Sequence, residues 1–319
     1  FESSLINMII KEKSDFVLPC KEVSETWKFG ILKLSGNKIE RIVEKPKPGK
    51  EPSNLAILGA YILPNKIFDY YKKVPVSDMQ HELAMQKYID DGNTAIAVKY
   101  NGFFSAFKYP WDLFTINQYL MNKILKKQTI DKDAYVSKKA SIEGNVFISK
   151  GARILGNAYI KGPVYIGKDV IVGNNTMVRN FSSIDDKSVV GFSTEISDSL
   201  IGESCWFHNN YVGDSIIDDN CSFGSGAVLA NFRFDEGTIK VNVNGEDVDS
   251  GRIKLGAIIA NGCKIGVNAT LLPGVKLGPN SIVGPNVSLR DELAENKTIF
   301  LTKESYVTKE NKLKVKSKK

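Results

Sequence analysis

The chain of 319 residues predicts two fold classes in series: an α/β segment, then an all-β parallel β-helix. Three observations carry this. Aliphatic residues recur every six positions from Val136 to Ile196, through Ile142, Ile148, Ile154, Ile160, Ile166, Val172, Val178, Ile184 and Val190. Four positions after each comes a small or β-branched residue, from Ala140 and Val146 to Ser188 and Thr194. The sequence ahead of this stretch has no such period and mixes strand-like with helix-like runs. A period of six belongs to neither a helix nor a plain strand. It fits a short strand and a corner that repeat, each hexad placing one aliphatic side chain inside a prism. One hexad buries little, so coils must stack to make a continuous core.

In the α/β segment, residues 29–34 and 38–43 flank Ser35-Gly36-Asn37 and read as a hairpin. A second apolar run, 55–63, ends at Pro64. Ser77 with Gln80 has the spacing of a capping box, and Gly92 can close the helix that follows. His81 falls on that helix and reads as an exposed residue. Pro110 starts another helix, with Leu113, Ile116, Leu120 and Ile124 on one face, which leads into the solenoid. The first domain is therefore expected over residues 1–128, linking helix included. The β-helix is expected over 129–295 and a basic tail over 296–319.

The hexads break and resume. Tyr211, Ile217, Phe223 and Leu229 are six apart, with Ser215, Cys221 and Ala227 four further on, so the register slips by three between Ile196 and Tyr211. Residues 231–255 lack hexads, and Ile259, Ile265, Leu271, Leu277, Val283 and Leu289 restore them. An insertion in a solenoid leaves one face as a loop, and such loops are frequent binding sites. Both interruptions mark where chemistry is to be sought.

Composition excludes several classes. No apolar run approaches the ~20 residues of a membrane span, and no signal-peptide pattern opens the chain. The net charge of +7 owes much to a tail rich in lysine, which reads as a solvated end and not as a nucleic-acid footprint. Cys20, Cys205, Cys221 and Cys263 show neither a CxxC pair nor metal spacing with histidine. No metal site is expected from these residues, and a cytoplasmic location is the default. His208 lies where the register slips. A lone histidine is more often structural, but one on an irregular corner can serve as a general base.

Several short motifs carry a resemblance. Phe29-Gly30-Ile31, Val43-Glu44-Lys45-Pro46, Asn54-Leu55-Ala56, Gly59-Ala60-Tyr61 and Pro110-Trp111-Asp112-Leu113 resemble the sugar-phosphate nucleotidyltransferases. With the hexads behind them, the order resembles the archaeal bifunctional family that acetylates an amino-sugar 1-phosphate and joins it to a nucleotide. The resemblance implies a partial Rossmann-like nucleotidyltransferase domain followed by a left-handed β-helix, assembled as a homotrimer with acetyl-CoA between subunits. In that family a Gly-rich loop and two Asp residues hold nucleotide phosphates and Mg²⁺. The loop and first Asp would lie ahead of Phe1, and an N-terminal part is expected to be missing. Ala106 stands where the second Asp belongs, so Mg²⁺ is expected only in a complete domain and nucleotidyl transfer is not expected from this chain. Glu44 and Lys45 match a pair that contacts the sugar phosphate; a surface ion pair is the other reading.

In the solenoid, His208-Asn209-Asn210-Tyr211-Val212-Gly213-Asp214, Gly224-Ser225-Gly226, Ala230-Asn231 and residues 250–256 resemble the acetyltransferase site. The resemblance implies His208 as the base, Tyr211 and Asn231 on the sugar, and Arg179 on the phosphate. It places Lys240 as a functional lysine, though one charge on an exposed hairpin fits it as well. Gly224, Ser225, Gly226, Arg252 and Lys254 are implied at acetyl-CoA, with a plain glycine turn as the alternative for the first three. Ser197 and Gly237 stand where the family carries lysines, and Ser222 where it carries Asn. The implied substrates are acetyl-CoA and an amino-sugar 1-phosphate, with no nucleic acid or membrane partner.

Overall fold

The computed structural model describes residues 1–300, so most of the expected basic tail lies outside the described residues. The chain divides into two compact units, the first Phe1–Ala106 and the second beginning at Phe107.

In the first unit, helix α1 (Ser3–Lys11) precedes five strands: β1 (Val17–Glu22), β2 (Gly30–Ser35), β3 (Lys38–Glu44), β4 (Leu55–Ile57) and β5 (Ile96–Lys99). Their order is β1-β4-β2-β3-β5, closed by parallel pairing of β1 with β5, while the other pairs are antiparallel. The β2–β3 hairpin turns at Gly36, whose φ of 63° suits glycine. Helices α2 (Ile67–Tyr71) and α3 (Gln80–Asp90) cover a core that includes Phe16, Leu32, Met85 and Tyr88. The capping box at Ser77 does not form: the Gln80 side chain donates to the carbonyl of Tyr71 instead. Gly92 does close α3, at φ 84°.

Helix α4 (Asp112–Ile124) packs in the second unit. Its buried face carries Phe114 and Met121, next to Trp111 and Leu125, whereas Leu120 and Ile124 are exposed. Trp111 and Phe114 find their apolar partners in Ile239, Val241 and Leu255 of the insertion, and this selects the face.

The solenoid stacks parallel strands of two or three residues into three sheets. Interior residues run in columns, such as Ile154, Val172, Val190, Phe207 and Phe223 on one face, all essentially inaccessible. Corner residues take φ near +55°, and Asn157, Asp169, Asn175, Asn220 and Asn268 are among them. Asn and Asp tolerate that left-handed conformation best after glycine. Cys205, Cys221 and Cys263 occupy one such column, buried and free.

The register slip resolves into three shortened steps. Interior positions are six apart up to Ile196, then five to Ile201, six to Phe207, five to Val212 and five to Ile217. Val212 is therefore the inward residue, and Tyr211, expected in the hexad interior, faces outward, because side chains alternate along a strand. One residue is lost at each of three corners: 197–199, 208–210 and 213–215. The excursion between Leu229 and Ile258 folds back as a hairpin, Lys240–Val243 with Glu246–Asp249. Its root is closed by the Phe232–Lys254 bridge and by the Leu255 amide donating to Asn231.

Candidate functional site

The three short corners and the root of the insertion surround one outer sheet surface. Across it, Met177, Glu195, Tyr211 and Val228 align in one row, and Arg179, Ser197 and Gly213 in the next. Gly213 has no side chain. The Tyr211 hydroxyl and Asn231 Nδ2 lie 2.8 and 2.5 Å from where its Cβ would stand, so only glycine lets them meet. Tyr211 hydrogen-bonds Asn231; burial, and then the charge of Glu195, raise its hydroxyl pKa against that bond.

His208 is exposed on its corner. Its column reads Gly173, Gly191, His208, Gly224, Gly266, so neither neighbouring coil sets a side chain beside the imidazole. An alanine Cβ at 191 would collide with the carbonyl oxygens of Phe207 and His208. Asn210 fixes the corner: its Oδ1 accepts from the His208 amide at 2.8 Å, and its Nδ2 donates to Gly224 and Ala227 carbonyls. Gly224, Ser225 and Gly226 stack on the His208 corner, with the Gly226 amide donating to the Asn209 carbonyl.

Two aspartates that the sequence reading passed over lie at the other short corners. Asp198 and Asp214 both have left-handed backbones, φ 44° and 46°. Arg252 reaches Asp198 at 3.2 Å and Asp214 at 3.5 Å, and its guanidinium lies over the Phe114 ring, 4.3 Å from the centroid. Asn231 Nδ2 donates to Asp214 at 2.7 Å. Burial pushes both carboxyls above the usual carboxylate range, with Arg252 opposing the shift in each.

The implied residues thus sort into groups. His208 and Tyr211 flank one corner, Gly224 to Gly226 stack on it, and Asn231 meets Tyr211. Arg179 is on the same sheet but is paired with Glu195 at 2.7 Å. Arg252, expected at the coenzyme, is instead tied between two carboxylates. Lys254 is exposed and bridges back to Phe232. Lys240 lines a polar cavity of about 340 Å³ with Asp247, Lys276, Arg290 and Glu292. Ser197 is 4% exposed and accepts from Asn180, so it is covered. A further cavity of about 630 Å³ runs along a different face, under Leu113 and over Leu200, Ile216 and Ile258. Its lining is mostly aliphatic, with Ser183, Asp185, Asp218, Lys276 and Glu292 as its polar side chains.

In the first unit, Glu44 is largely buried and Lys45 exposed, 3.9 Å apart. His81 is not the exposed residue expected: its ring lies 5.3 Å from that of Tyr61 and 5.9 Å from that of Tyr71, and Nδ1 bonds the Tyr71 hydroxyl. Residues 10 and 20 positions away supply those rings, a pairing with no local signal.

Residues 3–122 match the nucleotidyl transferase family, and residues 139–180 and 256–291 match the bacterial transferase hexapeptide repeat. The chain is 36% identical over 327 residues to the bifunctional protein GlmU of Methanococcus maripaludis strain C7, covering 97% of this chain and 74% of that one. The chain belongs to the bifunctional nucleotidylyltransferase/acetyltransferase family. A bifunctional sugar-1-phosphate nucleotidylyltransferase/acetyltransferase of Sulfurisphaera tokodaii is 36% identical over 270 residues, 83% of this chain and 66% of the relative. GlmU of Methanocaldococcus jannaschii is 33% identical over 278 residues, 82% and 63%. The chain thus spans about two thirds to three quarters of the length of these family members. Ala106 presents only a methyl group and is half-buried.

Proposed function

We propose that the second unit transfers the acetyl group of acetyl-CoA to the 2-amino group of an amino-sugar 1-phosphate, glucosamine 1-phosphate or galactosamine 1-phosphate. The observation that carries this is an exposed His208 in a column of glycines, one corner from the joined Tyr211 and Asn231. The amine nitrogen attacks the thioester carbonyl, a C–N bond forms and the C–S bond breaks. The imidazole of His208 takes the amine proton and returns it to the departing thiolate, so no net charge is stranded. Tyr211 and Asn231 hold the sugar, and the backbone of Gly224 to Gly226, with Ser225 exposed, lies beside the pantetheine. Arg179 grips the phosphate bidentately by exchanging Glu195 for it. Lys240 and Lys254 belong to the same proposal as outer cations. The active form is a homotrimer in the cytoplasm, and among the described residues no helix is long and apolar enough to cross a membrane. In the whole protein the reaction is paired with sugar-1-phosphate nucleotidylyl transfer, with Glu44 and Lys45 on the sugar phosphate. With Ala106 in place, the 319-residue chain itself releases no pyrophosphate.

The test is thiol release from acetyl-CoA with each amino-sugar 1-phosphate. Loss of a general base costs ~10²–10⁴ in rate, so His208→Ala should lower kcat by that factor while leaving assembly unchanged. A His208→Ala protein that keeps most of its rate moves the base elsewhere. A wild-type protein that releases no CoA favours the alternative reading, a β-helix scaffold without catalysis.

A further inference from the structure

Asn231 can be placed in either of two amide orientations by packing alone, since its oxygen and nitrogen are nearly the same size. Its surroundings choose one. Asp214 Oδ2, 2.7 Å from Asn231 Nδ2, is a carboxylate oxygen and can only accept, so the nitrogen must face it. Asp214 is itself clamped: its amide donates to the Ser197 carbonyl at 2.9 Å and its carbonyl accepts from Gly256 at 2.7 Å. It is 6% exposed, and Arg252 stands 3.5 Å from Oδ1. A buried carboxylate of this kind needs both a cation and a donor, and it has one of each. Arg252 is held in turn by Asp198 and by the Phe114 ring of α4. A chain of contacts thus runs from Tyr211 through Asn231, Asp214 and Arg252 to the helix.

We propose that Asp214 is a positioning residue of the acceptor site, locking the Asn231 carboxamide with its nitrogen inward so that its oxygen is the atom presented to the amino sugar. The inference rests on the acetyl-transfer reading above. In this arrangement the Asn231 oxygen accepts from a sugar hydroxyl or from the amine, and Tyr211 keeps a fixed neighbour. Without Asp214 the carboxamide rotates freely and half of its orientations present a donor to a donor. The backbone at 214 admits a clean experiment, because φ 46° is comfortable for glycine and asparagine. Asp214→Gly removes the acceptor without backbone strain; Asp214→Asn keeps one acceptor oxygen for Asn231 Nδ2, while the charge is lost and an NH2 group replaces the oxygen on the Arg252 side.

The experiment measures both Michaelis constants for wild type, Asp214→Gly and Asp214→Asn, with neutron crystal structures of wild type and Asp214→Gly, in which the deuterons of the Asn231 amide mark its nitrogen. One lost hydrogen bond to a charged group corresponds to about a tenfold change. Asp214→Gly should raise the amino-sugar KM by about that factor, leave the acetyl-CoA KM unchanged and show Asn231 turned. Asp214→Asn should recover most of the difference. An unchanged amino-sugar KM, both constants rising together, or Asn231 in the same orientation in Asp214→Gly would overturn the proposal. A wild-type protein inert toward both amino sugars would sink the acetyl-transfer reading instead, and the two structures would still decide the orientation of Asn231.

Discussion

The solenoid coils up to Ile196 and those from Ile196 to Leu229 share an interior and differ at their corners. In both, one aliphatic or aromatic side chain per face points inward and is buried. In the earlier coils the corners keep their length, and an ion pair such as Lys168 with Asp186, 4.0 Å apart with the lysine exposed, is worth little. In the later coils three corners each lose a residue, and at those corners lie Asp198, His208 and Asp214. The difference teaches that the stacked interior sets the frame, whereas function enters where the corner is shortened and its polar groups are drawn inward. The three steps out of register in a hexad count thus carry more chemical information than all the steps in register.

The largest test of this contrast is in the interior. Phe207 and Phe223 stack at 4.5 Å between centroids, in the column that Val172 and Val190 fill in the regular coils. Phe→Ala in a core costs ~3–5 kcal/mol, through lost transfer energy and the cavity left behind. Val172→Ala should cost about 1.5–2.5 kcal/mol, since it deletes two methyl groups. Urea unfolding midpoints compare the two. If Phe207→Ala proves no worse than Val172→Ala, the site coils are less tightly filled than the ring stack implies.

Glycines give a second, smaller contrast. A Cβ at Gly156, in a regular coil, would meet side chains alone, Asn174 at 3.4 Å, Ser137 at 3.7 Å and Lys139 at 3.9 Å. A Cβ at Gly191 would press on the backbone that carries His208. Gly156→Ala should be within about 0.5 kcal/mol of wild type, as for surface changes. Gly191→Ala should cost about 1–3 kcal/mol, the range for overpacking, and should lower acetyl transfer because the imidazole corner must move. Thermal unfolding and CoA-release rates on the same two proteins check both parts. Equal behaviour of the pair would mean that the corner yields without strain.

How much of this was legible in the sequence follows from the range of the forces involved. The β-helix was visible because each hexad repeats one local requirement, an inward aliphatic residue and a corner that turns. Tyr211 was assigned to the interior because counting sixes back from Ile217 lands on it, whereas a step of five puts Val212 there. Asp198 and Asp214 looked like ordinary turn residues, and their pairing with Arg252 spans 54 and 38 positions of sequence. Spacing could have found them, since each lies in a step of five. His208 was legible as a candidate from its place at the slip, but its glycine column needed the coils to be stacked. The face of α4 was misjudged because its partners, Ile239, Val241 and Leu255, come from an excursion with no repeat to predict where it packs.

The smallest effect separates the corners electrostatically. Asp198 is drawn inward at a short corner and has a raised pKa, through burial opposed by Arg252 and Gln118. Asp198 Oδ1 is buried with no hydrogen-bond partner. A carboxyl whose pKa is higher folded than unfolded stabilises the protein below the unfolded value, about 3.9. That contribution is lost as pH rises through the folded value. In Asp198→Asn the side chain is neutral throughout, and φ 44° suits asparagine. The stability of the variant relative to wild type should therefore increase from pH 3.5 upward and level off once pH exceeds the folded pKa of Asp198. The gain should stay below about 1 kcal/mol, because the group is partly solvated and Arg252 keeps Asp214 as partner. Denaturant midpoints at pH 3.5, 5 and 7 decide the matter. If Asp198→Asn instead loses ground as pH rises, the attraction of Arg252 outweighs burial at that corner, and Asp198 holds the arginine more than it strains the fold.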